Sequence, residues 1–151
     1  MNEKDINLYR VIGDMHKEIY SSKTFDDAIK AGLKIILSKS LADIAIIWYK
    51  SLENNEIYTP YYWIAPNDFT SCKQIKSDGS LISKVIDSNE AIYLDYKDAK
   101  EIDKNHLSME FNSLYCLPFN LDKLDRFGCI EFIKINSVFS DDEKEICQLL
   151  T

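Results

Sequence analysis

Ser113-Leu114-Tyr115-Cys116-Leu117-Pro118-Phe119 and Phe127-Gly128-Cys129-Ile130-Glu131-Phe132-Ile133-Lys134-Ile135, separated by the polar run Asn120 to Arg126, form the most legible part of the chain. Two runs rich in β-branched and aromatic residues around a polar turn read as an antiparallel hairpin. A turn centred on Asp122-Lys123 would set Cys116 opposite Cys129. Glu131 stands inside an otherwise apolar strand, which costs free energy unless its carboxylate meets solvent, a partner or a ligand. Just downstream, Ser140-Asp141-Asp142-Glu143 is a capping box, with Ser140 and Glu143 each satisfying the other's backbone donor. It predicts a helix running through Ile146, Leu149 and Leu150.

Towards the N-terminus, Leu41 to Tyr49 is apolar at almost every position and rich in isoleucine, the pattern of a central strand covered on both faces. Glu53-Asn54-Asn55-Glu56 supplies turn chemistry, and Ile57 to Ala65 returns as an aromatic strand. Strict alternation puts Ile57, Thr59, Tyr61 and Trp63 on one face and Tyr58, Tyr62 and Ile64 on the other. Before these strands, Leu8, Ile12, Met15 and Ile19 make one narrow stripe on a helix from Ile6 to Tyr20, suited to docking on another helix. Thr24 caps a second helix, Phe25 to Leu37, whose broad face of Phe25, Ala28, Ile29, Gly32, Leu33, Ile36 and Leu37 fits a sheet.

Between the hairpins, Pro66-Asn67-Asp68 ends a strand and Cys72 to Ile75 reads as a short extended piece. Ser77-Asp78-Gly79-Ser80 caps a short helix ending near Ser88, and Ala91 to Leu94 is another short strand. Asp95 to Glu110 is polar, charged and without a clean period, so a loop or marginal helix with some task is expected there.

At 151 residues, 46% hydrophobic and 28% charged, the chain has the size and mix of one compact domain. A net charge of −7, with Arg10 and Arg126 the only arginines among 18 basic residues, offers no basic face for nucleic acid. No signal-peptide pattern and no apolar run near the roughly 18 residues of a membrane helix is present, so a cytoplasmic location is expected. Cys72, Cys116, Cys129 and Cys147 form no CxxC or CxxC/HxxxH set, which signals neither a metal site nor a disulfide framework. Leu149-Leu150-Thr151 breaks off in mid-helix, so a fragment of a longer signalling protein is expected.

The order helix, helix, hairpin, short helix, strand, variable segment, hairpin, helix resembles the GAF domain of the GAF/PAS-like sensory families. Asn112 to Phe119 resembles that family's strand with an apolar-Pro-apolar triplet, and Phe127 to Phe132 its Gly-containing return strand. Val138-Phe139-Ser140-Asp141-Asp142-Glu143 resembles its phenylalanine and acidic helix cap. Asp78 to Val85, followed by Glu90 to Leu94, resembles its pocket helix and next strand. The resemblance covers residues 22 to 151. It implies an α+β, profilin-like fold, with a central antiparallel sheet of five to six strands. Terminal helices would cover one face, and a short helix and variable loop would cover a pocket on the other. Residues 1–21 would be a dimerising, signalling helix ahead of a sensory domain at 22–151.

GAF domains bind cyclic nucleotides, tetrapyrroles, haem or small metabolites, or bind nothing and dimerise, so the fold does not fix the ligand. The cyclic-nucleotide pattern is degenerate here: Lys134 and Phe139 fit, but Ile133 replaces its asparagine and Asp142-Glu143 sit one residue close. A bilin or haem would need a ligating residue in the variable segment, where only His106 stands. Enzymatic relatives, the free methionine sulfoxide reductases, need a thiolate and a resolving thiol. Cys72 lies near one such position, but Ile82 stands in the pocket helix and Asp95 to Glu110 holds no cysteine.

The aromatics Trp48, Tyr58, Tyr61, Tyr62, Trp63, Phe69, Tyr93, Phe111 and Tyr115 could line a small-molecule site. Tyr61, Trp63, Tyr93, Asn112, Ser113 and Glu131 are the candidate ligand-binding residues; no catalytic residue and no metal site is expected, and no cofactor is named. The expected function is a non-catalytic regulator that binds a small molecule and passes the signal to an effector domain of the parent chain. A homodimer through Leu8, Ile12, Met15 and Ile19 would serve as the readout. A ligand-free dimerising spacer and a sulfoxide reductase-like enzyme are the alternatives.

Overall fold

The computed structural model describes residues 3–39, 41–51, 53–54, 56–64, 74–75, 80–95, 111–121 and 126–148. Its elements are α1 (Glu3–Ser21), α2 (Phe25–Ser38), β1 (Ile44–Lys50), β2 (Ile57–Ile64), β3 (Gln74–Ile75), α3 (Leu81–Ser88), β4 (Ile92–Asp95), β5 (Ser113–Leu121), β6 (Arg126–Lys134) and α4 (Asp141–Gln148). The strands form one six-stranded sheet in the order β3-β2-β1-β6-β5-β4, and every adjacent pair is antiparallel. None of the described helices is long and apolar enough to cross a membrane.

α2, α3 and α4 each start where a short polar side chain meets a free backbone donor. Thr24 Oγ1 accepts from Asp27 N at 3.1 Å, and Ser80 Oγ accepts from Ser83 N at 3.1 Å. The capping box at α4 is complete, with Ser140 N donating to Glu143 Oε2 at 2.8 Å and Glu143 N donating to Ser140 Oγ at 3.2 Å. α3 ends at Asn89, whose φ of 56° is the left-handed conformation that stops a helix. The β1–β2 connection closes on Ser51 N donating to the Glu56 carbonyl, while Asn54 Oδ1 accepts from Glu56 N.

The sheet is buried on both faces. Towards the terminal helices, Ala45, Ile47, Tyr49, Tyr115, Leu117, Phe119, Ile130 and Phe132 form one core with Val11, Leu33, Phe139, Ile146 and Cys147. Towards α3, Ile44, Ile46, Trp48, Leu114, Cys116, Cys129 and Ile133 form another with Leu81, Ile82, Val85, Leu94 and Phe111. Two-sided burial explains the unbroken apolar run of β1, since neither side of that strand meets water.

Two registers differ from strict sequence reading. The β5–β6 hairpin pairs Leu121 with Arg126 and Cys116 with Glu131, two residues away from the register that would oppose Cys116 to Cys129. A shift of two keeps both cysteines on the α3 face, where they are diagonal neighbours. In β2 an irregularity opposite Trp48 separates the Tyr49↔Tyr58 pair from the Ile47↔Tyr61 pair. The extra residue falls at Thr59-Pro60, and proline has no N–H for the ladder. It reverses the parity of the strand: Ile57 pairs with Lys50 on the α3 face, whereas Tyr61 pairs with Ile47 on the helix face. β1 also begins three residues later than its apolar run, because Asp43 Oδ2 accepts from Ile135 N at 2.8 Å while Asp43 N donates to the Ile133 carbonyl.

The glycine in β6 is a close-approach position. A Cβ on Gly128 would lie 2.0 Å from the Trp48 carbonyl oxygen and 2.6 Å from Phe119 Cζ. Phe119 lies across that gap and meets Tyr49 edge-to-face at 5.6 Å between centroids. Gly128→Ala is therefore expected to cost about 2–3 kcal/mol through backbone displacement in the central strands, a loss that urea denaturation followed by circular dichroism would measure.

Candidate functional site

The face of the sheet beneath α3 carries the charged group that sequence reading singled out. Glu131 is fully buried on β6, and its Oε2 accepts from Trp48 Nε1 at 2.8 Å. Even-numbered β1 residues and odd-numbered β6 residues share this face near that point, so Trp48 pairs with Cys129 and reaches diagonally to Glu131. Cys116, opposite Glu131 on β5, and Cys129 are both fully buried beside the carboxylate. Among the described residues no buried side-chain nitrogen or oxygen lacks a hydrogen-bond partner. A buried carboxylate is tolerated only under that condition.

α3 closes over this region through apolar contacts and one polar clip. Leu81, Ile82 and Val85 are buried against the sheet. On the helix's other side Asp87 pairs with Lys50 from the end of β1 and accepts from Ser83 Oγ at 3.2 Å.

Burial, with neighbouring carboxylates adding to it, raises all three described thiols. Burial, the Cys129 thiol and the Glu131 charge all push Cys116 well above its ordinary value of 9.0. Burial pushes Cys129 up too, with Glu131 adding and a hydrogen bond with Cys116 opposing. Cys147, in the other core, is pushed up to about 12 by burial and the Glu143 carboxylate, against the opposing Lys134. A nucleophilic thiol needs the opposite shift. No group of three or more His, Cys, Asp or Glu among the described residues could hold a metal ion. The bound-cofactor candidate His106 and the enzyme-like Cys72 lie outside the described residues, as does Phe69.

Of the six candidate ligand residues, Glu131 stands on one face of the sheet and Tyr93 and Ser113 on the other. Glu131 has its side chain on the α3 face. Tyr93 stands on the helix face, edge-to-face with Tyr115 at 6.1 Å and with Phe139 at 6.3 Å. Ser113 is on that face too, paired with Lys134 and donating its hydroxyl to the Ser137 carbonyl at 2.8 Å. Tyr61 and Trp63 pair with Ile47 and Ala45, register positions of the helix face. Asn112 is half-buried at the entry to β5 and donates its N–H to the Lys134 carbonyl. Trp48 is expected from the sequence only as one of the aromatics that could line a site and is not among the six; the β1–β6 register is what brings it to Glu131.

The lysine and phenylalanine that fit the cyclic-nucleotide pattern instead anchor a helix. Lys134 Nζ pairs with Glu143 Oε2 at 2.6 Å and lies 5.2 Å from the Phe139 ring centroid. Between α1 and α2 lies a surface groove of about 550 Å³ lined by Lys17, Lys30, Lys34 and Lys39 together with Asp14, Glu18 and Asp27. Its mixed charges select no one ligand class.

No protein-family model and no curated protein matches the sequence. Solved structures do. The GAF domain of a phosphoenolpyruvate-protein phosphotransferase from Coxiella burnetii is similar with a TM-score of 0.74 and 15% identity, covering 96% of this chain and 89% of that one. The free methionine-R-sulfoxide reductase of Neisseria meningitidis, in complex with its substrate, is similar with a TM-score of 0.77 and 10% identity, covering 99% and 89%. The GAF domain of a two-component sensor histidine kinase from Bacillus halodurans gives 0.67 and 16%, covering 86% and 90%.

Trp48→Phe keeps an aromatic ring but removes the only donor of the indole. It is expected to cost about 1–3 kcal/mol by leaving a charged acceptor short of a partner, and adding Glu131→Gln should cost less than the two single changes summed, as denaturant titration of the three variants would show. The thiols add a pH signature. Their folded values lie above 9.0 and, for Cys147, at about 12. Their contribution is thus complete below pH ~9 and is lost as pH rises towards 12, because the unfolded chain releases the protons first. The urea midpoint should fall between pH 9 and 11, less steeply in Cys147→Ala.

Proposed function

The chain has the fold of a GAF domain, and from that premise we propose that it is a non-catalytic sensory or regulatory domain that binds a small molecule on the α3 face of its sheet. The observation that carries this reading is the Trp48–Glu131 pair, a fully buried carboxylate held by an indole N–H in an otherwise apolar layer. Such a group recognises a ligand bearing N–H or O–H donors, while the surrounding Ile46, Leu114 and Ile133 supply apolar contact. Asn112, at the start of β5, belongs to the rim of the same region. GAF-domain neighbours from a sensor histidine kinase and a phosphotransferase support a regulatory role.

The signal passes from the sheet to an effector domain of the parent chain through the terminal helices, and the protein acts in the cytoplasm as a homodimer through α1. α1 lies against α2 and α4. Among its described side chains Val11 lies in the helix-side core, and Ile12 of the docking stripe is half-buried. The side chains of Leu8, Met15 and Ile19 lie outside the described residues. A ligand shifts such a system only by binding one packing of the helices better than another.

A second reading, a ligand-free spacer, draws on the close seating of Leu81, Ile82 and Val85 over the sheet. The neisserial reductase neighbour raises an enzymatic reading, which the raised values of Cys116, Cys129 and Cys147 weigh against.

Native mass spectrometry of freshly purified protein, followed by a thermal-shift screen of nucleotides, amino acids and common metabolites, separates these readings. A sensor gives a co-purifying mass or a dose-dependent shift, worth about 2.7 kcal/mol at a hundredfold excess over Kd, and Glu131→Gln should reduce it. A clean mass with no shift would favour the spacer.

A further inference from the structure

Tyr93 and Leu94 are consecutive residues of β4, and they belong to opposite cores. Leu94 packs with Leu81, Ile82 and Val85 on the α3 face. Tyr93 packs against the helix-side core, with Lys144 Nζ of α4 lying 3.8 Å from its ring centroid. Adjacent strand residues point to opposite faces, so a displacement of this backbone moves both side chains together.

We infer that β4 is the mechanical link through which a change on the α3 face reaches α4. Three features give the link little slack on the input side and grip on the output side. α3 ends at Ser88 and β4 begins at Ile92, with the left-handed Asn89 making the turn, so a shift of α3 pulls directly on the strand. β4 is an edge strand hydrogen-bonded only to β5 among the described residues, which lets it move without breaking a second ladder. α4 is held to these two strands by paired contacts, Lys144 on Tyr93 and Gln148 Nε2 donating to Tyr115 Oη at 2.6 Å. Tyr93 also touches Phe139, just ahead of the α4 cap. β6 also reaches α4, through Lys134 and Glu143, but like β1 it is paired on both sides and covered on both faces, so its backbone has less room to move than that of the edge strand.

This route deepens the sensory reading of the same face and rests on it for its purpose, but its test needs no ligand. Backbone amide exchange of α4 is followed by mass spectrometry in the full 151-residue chain. Leu94→Ala, a change made entirely on the α3 face, is expected to raise exchange in α4 about fivefold or more. In a Tyr93→Leu background the same change should leave α4 exchange unaltered, since the ring that grips Lys144 is gone. Ile44→Ala serves as the control: it loosens the same core from β1, a strand that is not a neighbour of β4 in the sheet, and at matched global stability it should affect α4 less than Leu94→Ala does. Should Leu94→Ala fail to fold, Leu94→Val carries the same comparison with a smaller effect. Equal effects of Leu94→Ala with and without Tyr93, or an equal effect of Ile44→Ala, would overturn the link. A positive cycle with no ligand in the thermal-shift screen would leave the link standing and remove the sensory reading alone.

Discussion

Burial of β1 and β6 on both faces is the constraint from which the remaining architecture follows. A strand in that position has no polar side to offer, so Ile44 to Tyr49 are all buried and every element around them must be apolar on its inner surface. Two cores result, one beneath the terminal helices and one beneath α3. The strands also approach closely enough at Gly128 that only hydrogen fits between the Trp48 carbonyl and the Phe119 ring. The division into a helix side and an α3 side therefore originates in the middle of the sheet.

The two sides handle polar groups differently. On the helix side, polar atoms work at the margin: Lys134 reaches out of β6 to the Glu143 carboxylate, Ser113 bonds the Ser137 carbonyl, and Gln148 bonds Tyr115. Together they seat α4 on the sheet, and the same Glu143 oxygen closes the capping box. On the α3 side one carboxylate is buried at the centre of an apolar layer with an indole for a partner. A buried carboxylate contributes less to stability than a well-packed apolar residue in its place, and its retention there is what gives this face a chemical identity. The thiols beside it, held protonated by burial, behave as small apolar groups.

Placement of the candidate residues turned on strand parity. Tyr93 and Ser113 look like pocket-edge residues in one dimension, yet their neighbours Leu94 and Leu114 are the ones that face α3. Tyr61 and Trp63 share a face with Ile57 under strict alternation, and the irregularity at Thr59-Pro60 separates them. A one-residue change in register exchanges the two faces of a strand completely, so an expectation correct for the element can invert for each of its side chains.

From the sequence alone came the order of the elements, the two-sided burial of β1, the caps at Thr24, Ser80 and Ser140, and the isolation of Glu131 in an apolar strand. Each depends on residues a few positions apart, where helical and extended periodicities and capping geometry act. Tertiary structure alone decided the register of the hairpins, the faces on which Trp48 and Tyr93 stand, and the partner of Glu131. Trp48 lies 83 residues away along the chain, and cross-strand pairing is what brings its indole to the carboxylate. Periodicity within a strand says that its side chains alternate; only the neighbouring strand, through its ladder and its bulge, determines which set faces which core.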